Sequence, residues 1–149
     1  MIKKLLFPSK PDSAGASALL LLARIAFGLL FMSHGIQKWM MFQDLSATFP
    51  DPLGIGSYLS LLLAIFGEMA CSIAFIGGIL YRLAMIPMIF TMCIAFFVVH
   101  GGDAMAATPG KEMALIYLIV FVLMYIAGPG KFSVDHWIGR FLDKSKPKR

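Results

Sequence analysis

The sequence has few charged residues, and this scarcity excludes an ordinary water-soluble domain. Only 14% of its 149 residues are Asp, Glu, Lys or Arg, whereas 59% are hydrophobic, and the mean hydropathy is +0.82. Soluble globular domains carry about 25% charged residues. The composition therefore predicts an integral membrane protein whose main partner is the lipid bilayer.

Cysteine is also scarce, and its placement excludes a disulfide framework and a thiol redox pair. Cys71 and Cys93 are the two cysteines, both fall inside apolar runs, and no C-x-x-C is present. The sequence likewise lacks a C-x-x-C-H motif, a dinucleotide-binding glycine loop and a cluster of metal-ligating cysteines. We therefore predict no metal site. If the protein takes part in electron transfer, the electrons would have to come from a partner protein.

Long apolar runs are what the sequence does have, and four of them predict an all-α bundle of four membrane-spanning helices. The runs cover residues 17–42, 57–80, 82–100 and 111–127, near the ~20 residues that a helix needs to cross ~30 Å of hydrocarbon. No small-residue cleavage site follows the first run, so we expect it to remain as a helix rather than a cleaved signal peptide.

The remaining segments complete a predicted single membrane domain. Residues 1–16 would form an N-terminal arm and residues 144–149 a basic tail. Between the last membrane helix and this tail, residues 133–143 predict a short amphipathic helix that Ser133 can cap. Its apolar side favours a position in the cytoplasmic membrane interface.

The basic residues predict the orientation. Ten of the 13 Lys and Arg residues lie in the N-terminal arm, the link between helices 2 and 3, and the segment after helix 4: Lys3, Lys4, Lys10, Arg82, Lys131, Arg140, Lys144, Lys146, Lys148 and Arg149. Loops 43–54 and 101–110 carry acidic residues and no Lys or Arg. The positive-inside rule then places both termini in the cytoplasm. Clusters at the two ends also explain the net charge of +5 without nucleic-acid binding.

Ionisable residues inside the apolar runs are the candidate site. At ~1.5 Å per residue, Arg24 lies ~8 Å from the cytoplasmic edge of helix 1, His34 lies ~22 Å in, and Glu68 lies near the midplane. Glu68 shares a face of helix 2 with small residues at four-residue spacing, Ser60, Ala64 and Ser72, so we expect it to point into the bundle.

A charge at the midplane costs about 2.5–3.5 kcal/mol on insertion scales, so Glu68 needs a partner or a proton. We predict a buried network of Arg24, Glu68 and His34, in which Arg24 favours the ionised carboxylate. Lys38, His100 and Glu112 would surround its outer mouth, with Lys38 snorkelling to the outer interface. The alternative is a purely structural ion-pair cluster that fixes helix register.

Taken together, these residues and several glycine motifs match the pattern of a known protein family. The matching positions are Arg24, His34-Gly35-x-x-Lys38, Gly67-Glu68, Gly77-Gly78 before Tyr81-Arg82, His100, Glu112 and G128-P-G-K-F-S-V-D135. The sequence resembles the DoxX family of small bacterial four-helix membrane proteins over about residues 20–137. Where the family commonly has Gly-Pro-Gly-Arg, this chain has Lys131, which keeps the charge and loses the bidentate fork.

The resemblance implies a bacterial inner-membrane protein that serves as a membrane subunit of a quinone-linked oxidoreductase, a role described for some relatives. A quinone site needs hydrogen-bond donors for two carbonyls and a proton source in an apolar pocket. His34 and Glu68 would handle protons, and Arg24, Lys38, His100 and Glu112 would bind the quinone. Haem held by His34 and His100 is disfavoured, because His34 beside Lys38 already has a role in the polar network.

Two other classes of function stay open. The protein could be a small-molecule binding protein or transporter with an outward-facing vestibule formed by Lys38, His100 and Glu112. It could also be a membrane assembly factor without catalysis, whose basic tail docks a cytoplasmic protein. A homodimer is a further expectation, because four helices alone barely enclose a ligand.

Overall fold

The computed structural model describes residues 13–104 and 109–144, and every regular element in these ranges is a helix. The helices are α1 Ala14–Met40, α2 Phe42–Leu45, α3 Ser57–Gly77, α4 Tyr81–Val99, α5 Pro109–Ala127 and α6 Val134–Lys144. Four of them, α1, α3, α4 and α5, are long and apolar enough to cross a membrane. The predicted all-α bundle of four membrane helices is therefore confirmed.

The short C-terminal helix also forms. α6 begins one residue after Ser133, whose Oγ accepts a hydrogen bond from the His136 backbone N–H at 3.2 Å, as an N-cap does. Trp137 and Phe141 expose 75% and 81% of their surfaces on this helix. Of the predicted N-terminal arm 1–16, residues 14–16 belong to α1, and of the predicted tail 144–149, Lys144 belongs to α6. Residues 1–12 and 145–149 lie outside the described residues.

Large apolar side chains cover the outside of the bundle, and aromatic rings fill its centre. Leu19 and Ile126 are each 70% exposed, which suits helices whose surroundings are lipid rather than water. Inside, Phe31 and Phe121 are buried with ring centroids 4.9 Å apart in an edge-to-face contact. Phe75 extends this cluster to Phe121 at 5.6 Å.

One end of the bundle, called here the Asp135 end, joins the start of α1, the α3–α4 link and the segment between α5 and α6. Asp135 is 2% exposed and accepts hydrogen bonds from the backbone N–H groups of Leu80 and Tyr81 at 2.9 and 2.8 Å. Its own N–H donates to the Gly78 carbonyl. The first N–H groups of a helix have no acceptor within the helix, and Asp135 supplies acceptors for two of them at the start of α4.

Two helices contain a π turn in the half of the bundle away from Asp135. The turns cover Phe66–Ala70 in α3 and Ala95–Val99 at the end of α4. In each, a backbone N–H bonds to the carbonyl five residues earlier, as His100 does with Ala95. Such turns change the direction in which nearby side chains project and often occur at functional sites. Glu68 lies in the first of them.

Candidate functional site

A cavity of about 480 Å³ lies among α1, α3, α4 and α5, in the half of the bundle away from Asp135. This volume is within the range of small-molecule sites, ~300–1,000 Å³. The wall is mostly apolar, with Phe31, Met92 and Met113 among its residues. The polar side chains that reach it are His34, Lys38, Ser60, Glu68, Thr91, His100 and Tyr117.

An ion pair between Lys38 and Glu68 forms one wall of the cavity. The Lys38 Nζ lies 2.6 Å from the Glu68 Oε2, and the two side chains are 25% and 5% exposed. The prediction that Lys38 snorkels to the outer interface is wrong, because its flexible four-carbon stem reaches inward to the carboxylate. Lys38 supplies the partner that Glu68 needs inside a membrane.

A close approach of α1 and α3 positions this pair. A Cβ added at Gly35 would lie 2.9 Å from the Met69 backbone nitrogen and 3.0 Å from the Glu68 Cβ. Only glycine therefore lets the α1 backbone contact the π turn. Lys38 follows Gly35 by three residues, about one helical turn, and so its side chain emerges beside the same turn.

Arg24 lies elsewhere, and its predicted contact with Glu68 is not formed. Its guanidinium is 1% exposed and donates to the carbonyl of Pro129 at 2.8 Å and to that of Phe132. Eleven residues separate Arg24 from Gly35, roughly 16 Å along the helix axis. Arg24 therefore stabilises the Asp135 end of the bundle and does not line the cavity.

His34 faces the cavity with its ring free of protein hydrogen bonds. Within residues 13–104 and 109–144, no hydrogen bond to its ring nitrogens is found. The imidazole packs edge-to-face against the Tyr117 ring, with centroids 6.0 Å apart. Both ring nitrogens thus remain available to a ligand, as a donor and an acceptor in the neutral form.

The other predicted residues divide between the cavity and the surface. His100 lines the cavity, and its Nδ1 lies 2.8 Å from the Asp103 Oδ2. Glu112 is exposed and is not part of the wall, so its predicted place at the mouth is not supported by the geometry. α5 instead turns Ala114, Tyr117 and Phe121 inward.

Sequence reasoning missed Asp51, which organises the loop that covers the cavity. Its carboxylate accepts bonds from the Ile55 and Gly56 N–H groups at 3.0 and 2.8 Å and from the Ser60 hydroxyl at 2.8 Å. These bonds, led by that from Gly56, lower the pKa of Asp51 below its ordinary value. The neighbouring residues Phe49, Pro50, Pro52 and Leu53 line the cavity.

Signals for two missed residues were present in the sequence. An aspartate between two prolines and before a G-x-G is typical of a turn closed by side-chain-to-backbone bonds. Tyr117 shares a helical row with Ala114, Phe121 and Met124, a row of small and aromatic residues that can mark the inner face of α5. The fold and the cavity together define a small four-helix membrane protein with an ion pair and a histidine in an apolar site.

The chain belongs to the DoxX family, whose family model matches residues 19–101. That match includes His34, Lys38, Glu68 and His100, and it ends before α5. An uncharacterized protein of Haemophilus influenzae is 24% identical over 131 residues, which cover 85% of this chain and 87% of the relative.

Two further relatives are named as membrane proteins. An uncharacterized membrane protein of Mycobacterium tuberculosis is 27% identical over 139 residues, covering 78% of this chain and 79% of the relative. The inner membrane protein YphA of Escherichia coli is 31% identical over 129 residues, covering 82% and 91%. No solved structure matches the chain.

The arrangement can bind a compact polar group inside an apolar enclosure. Lys38 offers ammonium protons, His34 and His100 offer ring nitrogens, and the Tyr117 hydroxyl is both donor and acceptor. An apolar wall strengthens each of these hydrogen bonds by lowering the local dielectric constant.

Proposed function

We propose that the cavity binds a quinone and that the protein is a membrane subunit of a quinone-linked oxidoreductase system. One observation carries this proposal: the imidazole of His34, which has no hydrogen-bond partner among the described residues, faces an apolar cavity of about 480 Å³ beside the Lys38–Glu68 pair. A quinone needs donors for its carbonyl oxygens and an apolar environment for its ring, and this cavity supplies both.

Reduction of a quinone to a quinol adds two electrons and two protons. The electrons come from a partner protein in this proposal, because the sequence contains no redox cofactor motif. His34 donates a hydrogen bond from one ring nitrogen to a carbonyl and passes it that proton, while its other ring nitrogen takes up a proton from water. Lys38 passes an ammonium proton to the second carbonyl, and Glu68, hydrogen-bonded to Lys38, relays a proton from water that restores the ammonium.

Binding of a prenylated benzoquinone to the purified protein in lipid nanodiscs tests this function. We expect His34→Ala to weaken binding by about tenfold, the effect of one lost hydrogen bond to a buried group. We expect Glu68→Gln to weaken it by a similar factor, because Lys38 loses the charge that holds it beside the cavity. The matched controls are His136→Ala on α6 and the exposed Glu112→Gln, which lie outside the cavity. Unchanged binding in both cavity variants would refute the proposal.

Thermal unfolding of the same nanodisc samples distinguishes the alternative function. A polar solute that raises the thermal stability of the protein, with no effect of quinone, would support a solute-binding protein or transporter instead. In that case the Lys38 and His100 side chains would bind the solute, and Glu112 would have no part because it lies outside the cavity wall.

We further propose that the Asp135 end faces the cytoplasm of an inner membrane. Among the described residues, Arg82, Lys131 and Arg140 lie in the segments that form or adjoin that end, whereas Asp51 and Asp103 lie toward the other. The relative from Escherichia coli is named an inner membrane protein. In intact cells, a membrane-impermeant maleimide should label Thr48→Cys and not Arg140→Cys, and the reverse labelling would contradict this orientation.

A further inference from the structure

We propose that the ligand of the cavity enters sideways from the bilayer, between α3 and α4, and carries a long apolar tail that lies in this opening. The inference rests on the proposed function and adds the substrate class. The ligand is a lipid-dissolved molecule with a compact carbonyl-bearing head and an apolar tail, rather than a water-soluble one.

The first observation is where α3 and α4 separate. A Cβ added at Gly67 would lie 2.7 Å from the Thr91 Oγ1 and 3.5 Å from the Pro87 carbonyl oxygen, so the helices cross closely at this point. From there to the Asp135 end they pack along their length. On the other side of the crossing, the α3 segment Ser57–Ile65 packs mainly against α1 and has few contacts with α4.

The second observation is that the side chains where α3 and α4 separate both line the cavity and are exposed on the outside of the bundle. Leu63 and Phe66 on α3 and Phe90 on α4 line the cavity, and each is 52% exposed. Ile94 and Val99 continue the same wall along α4. These five residues are apolar, so the opening matches the hydrocarbon of the bilayer and offers no bonds to a hydrated solute.

The third observation is that a loop forms part of the cavity wall at the end away from Asp135. Phe49, Pro50, Pro52 and Leu53 lie over the cavity at the loop end of the bundle. Asp51 fixes this loop through its three hydrogen bonds, one of them to Ser60 on α3. A ligand that arrived from water would have to displace this loop, whereas a ligand in the membrane meets the opening directly.

The Lys38–Glu68 pair and His34 lie on the α1 side of the cavity. The Glu68 Cβ contacts the α1 backbone at Gly35, and Lys38 and His34 both come from α1. A ligand with its head at these residues therefore points its remaining length toward α4 and the lipid. That direction accommodates an isoprenoid or alkyl tail without burying it in the bundle.

Narrowing the opening tests the inference. We expect Leu63→Trp to weaken binding of a prenylated benzoquinone by about tenfold or more through steric overlap, with concentrations expressed per lipid. Binding of the same ring without a tail should stay within about twofold. Leu59→Trp is the matched control, because Leu59 is 50% exposed on the same helix and does not line the cavity.

The outcomes separate this inference from the proposed function. If neither quinone binds the unmodified protein, the proposed function fails. If both bind and Leu63→Trp affects them equally or not at all, the lateral opening is refuted and the quinone site stands. Ile94→Trp narrows the same opening from α4 and replaces Leu63→Trp should that variant not fold, with Ile86→Trp as its control.

Discussion

The Lys38 Nζ and the Glu68 Oε2 lie 2.6 Å apart, beside the close approach of α1 and α3 at Gly35. The carboxylate is almost fully buried, whereas the lysine is a quarter exposed, at the edge of the cavity. This geometry gives the buried carboxylate a partner and leaves ammonium protons available to a ligand. A buried pair of this kind loses much of its Coulomb attraction to the cost of desolvating both charges, which favours a role beyond stability.

Removal of the lysine should destabilise the protein. Lys38→Met leaves the Glu68 carboxylate buried without its partner, and we expect the free energy of unfolding to fall by about 3 kcal/mol. The double variant Lys38→Met with Glu68→Gln should recover part of this loss, because no uncompensated charge remains. Thermal unfolding of both variants in nanodiscs measures the effect, and equal stability of the single variant and the unmodified protein would contradict it.

The contact at Gly35 should be intolerant of any side chain. A Cβ there meets the Met69 backbone nitrogen at 2.9 Å, and backbone cannot move aside as a side chain can. We expect Gly35→Ala to cost about 1–3 kcal/mol of stability through overpacking and to weaken quinone binding by displacing the π turn. Gly15→Ala is the control, since nothing lies within 4 Å of its added Cβ.

Arg24 should matter for the Asp135 end and not for the ligand. Arg24→Lys keeps the charge but cannot reproduce two bonds from one planar fork to Pro129 and Phe132. We expect faster amide hydrogen exchange in residues 129–135, a loss of about 1–3 kcal/mol, and unchanged quinone binding. The exposed Arg140→Lys is the control. A loss of quinone binding in Arg24→Lys would instead support the network predicted from the sequence.

Asp51 should control the loop over the cavity in a pH-dependent way. The hydrogen bonds favour its ionised form and lower its pKa, so their contribution is complete above the ordinary aspartate pKa of about 3.9 and is lost as pH falls through the lower folded value. Amide protection at Ile55 and Gly56 should therefore hold constant from neutral pH down to about 4 and decrease below it.

Substitution of the same residue provides a second measure of the loop. Asp51→Asn has one acceptor oxygen in place of two, so protection of the Ile55 or Gly56 amide should be lost at every pH and the quinone should dissociate faster. Asp44→Asn, on the neighbouring helix α2 and exposed, should change neither. Unaltered exchange in Asp51→Asn would show that the prolines alone hold the loop.

The helices were predictable because membrane insertion selects apolar runs of about 20 residues, and soluble domains rarely contain runs of that length. The inward direction of Glu68 was also predictable, since Ser60 and Ser72 on the same face are buried with it. The partner of Glu68 was not. The predicted depths assume that α3 is a regular helix, and nothing in the sequence marks the π turn at Phe66–Ala70.

The remaining errors concern contacts between residues that are far apart in the sequence. The sequence pairs Arg24 with Glu68 because both are charges in apolar runs, whereas the segment after α5 folds back and presents the Pro129 and Phe132 carbonyls 105 and 108 residues away. Glu112, predicted at the outer mouth of the network, shares a row of α5 with Ile116 and Ile119, each 49% exposed. A lipid-facing row and a core row of a membrane helix have similar hydrophobicity, so hydrophobicity alone does not distinguish them.

Photo-crosslinking of a prenylated benzoquinone with a photoreactive group on its ring tests the central claim most directly. After irradiation in nanodiscs and mass-spectrometric mapping, we expect the label on cavity residues such as His34, Thr91 and Tyr117, and we expect excess unlabelled quinone to prevent it. Labelling only of lipid-facing positions such as Leu19 and Ile126, with no effect of the unlabelled quinone, would show that the ring stays in the bilayer and would contradict a quinone site in this protein.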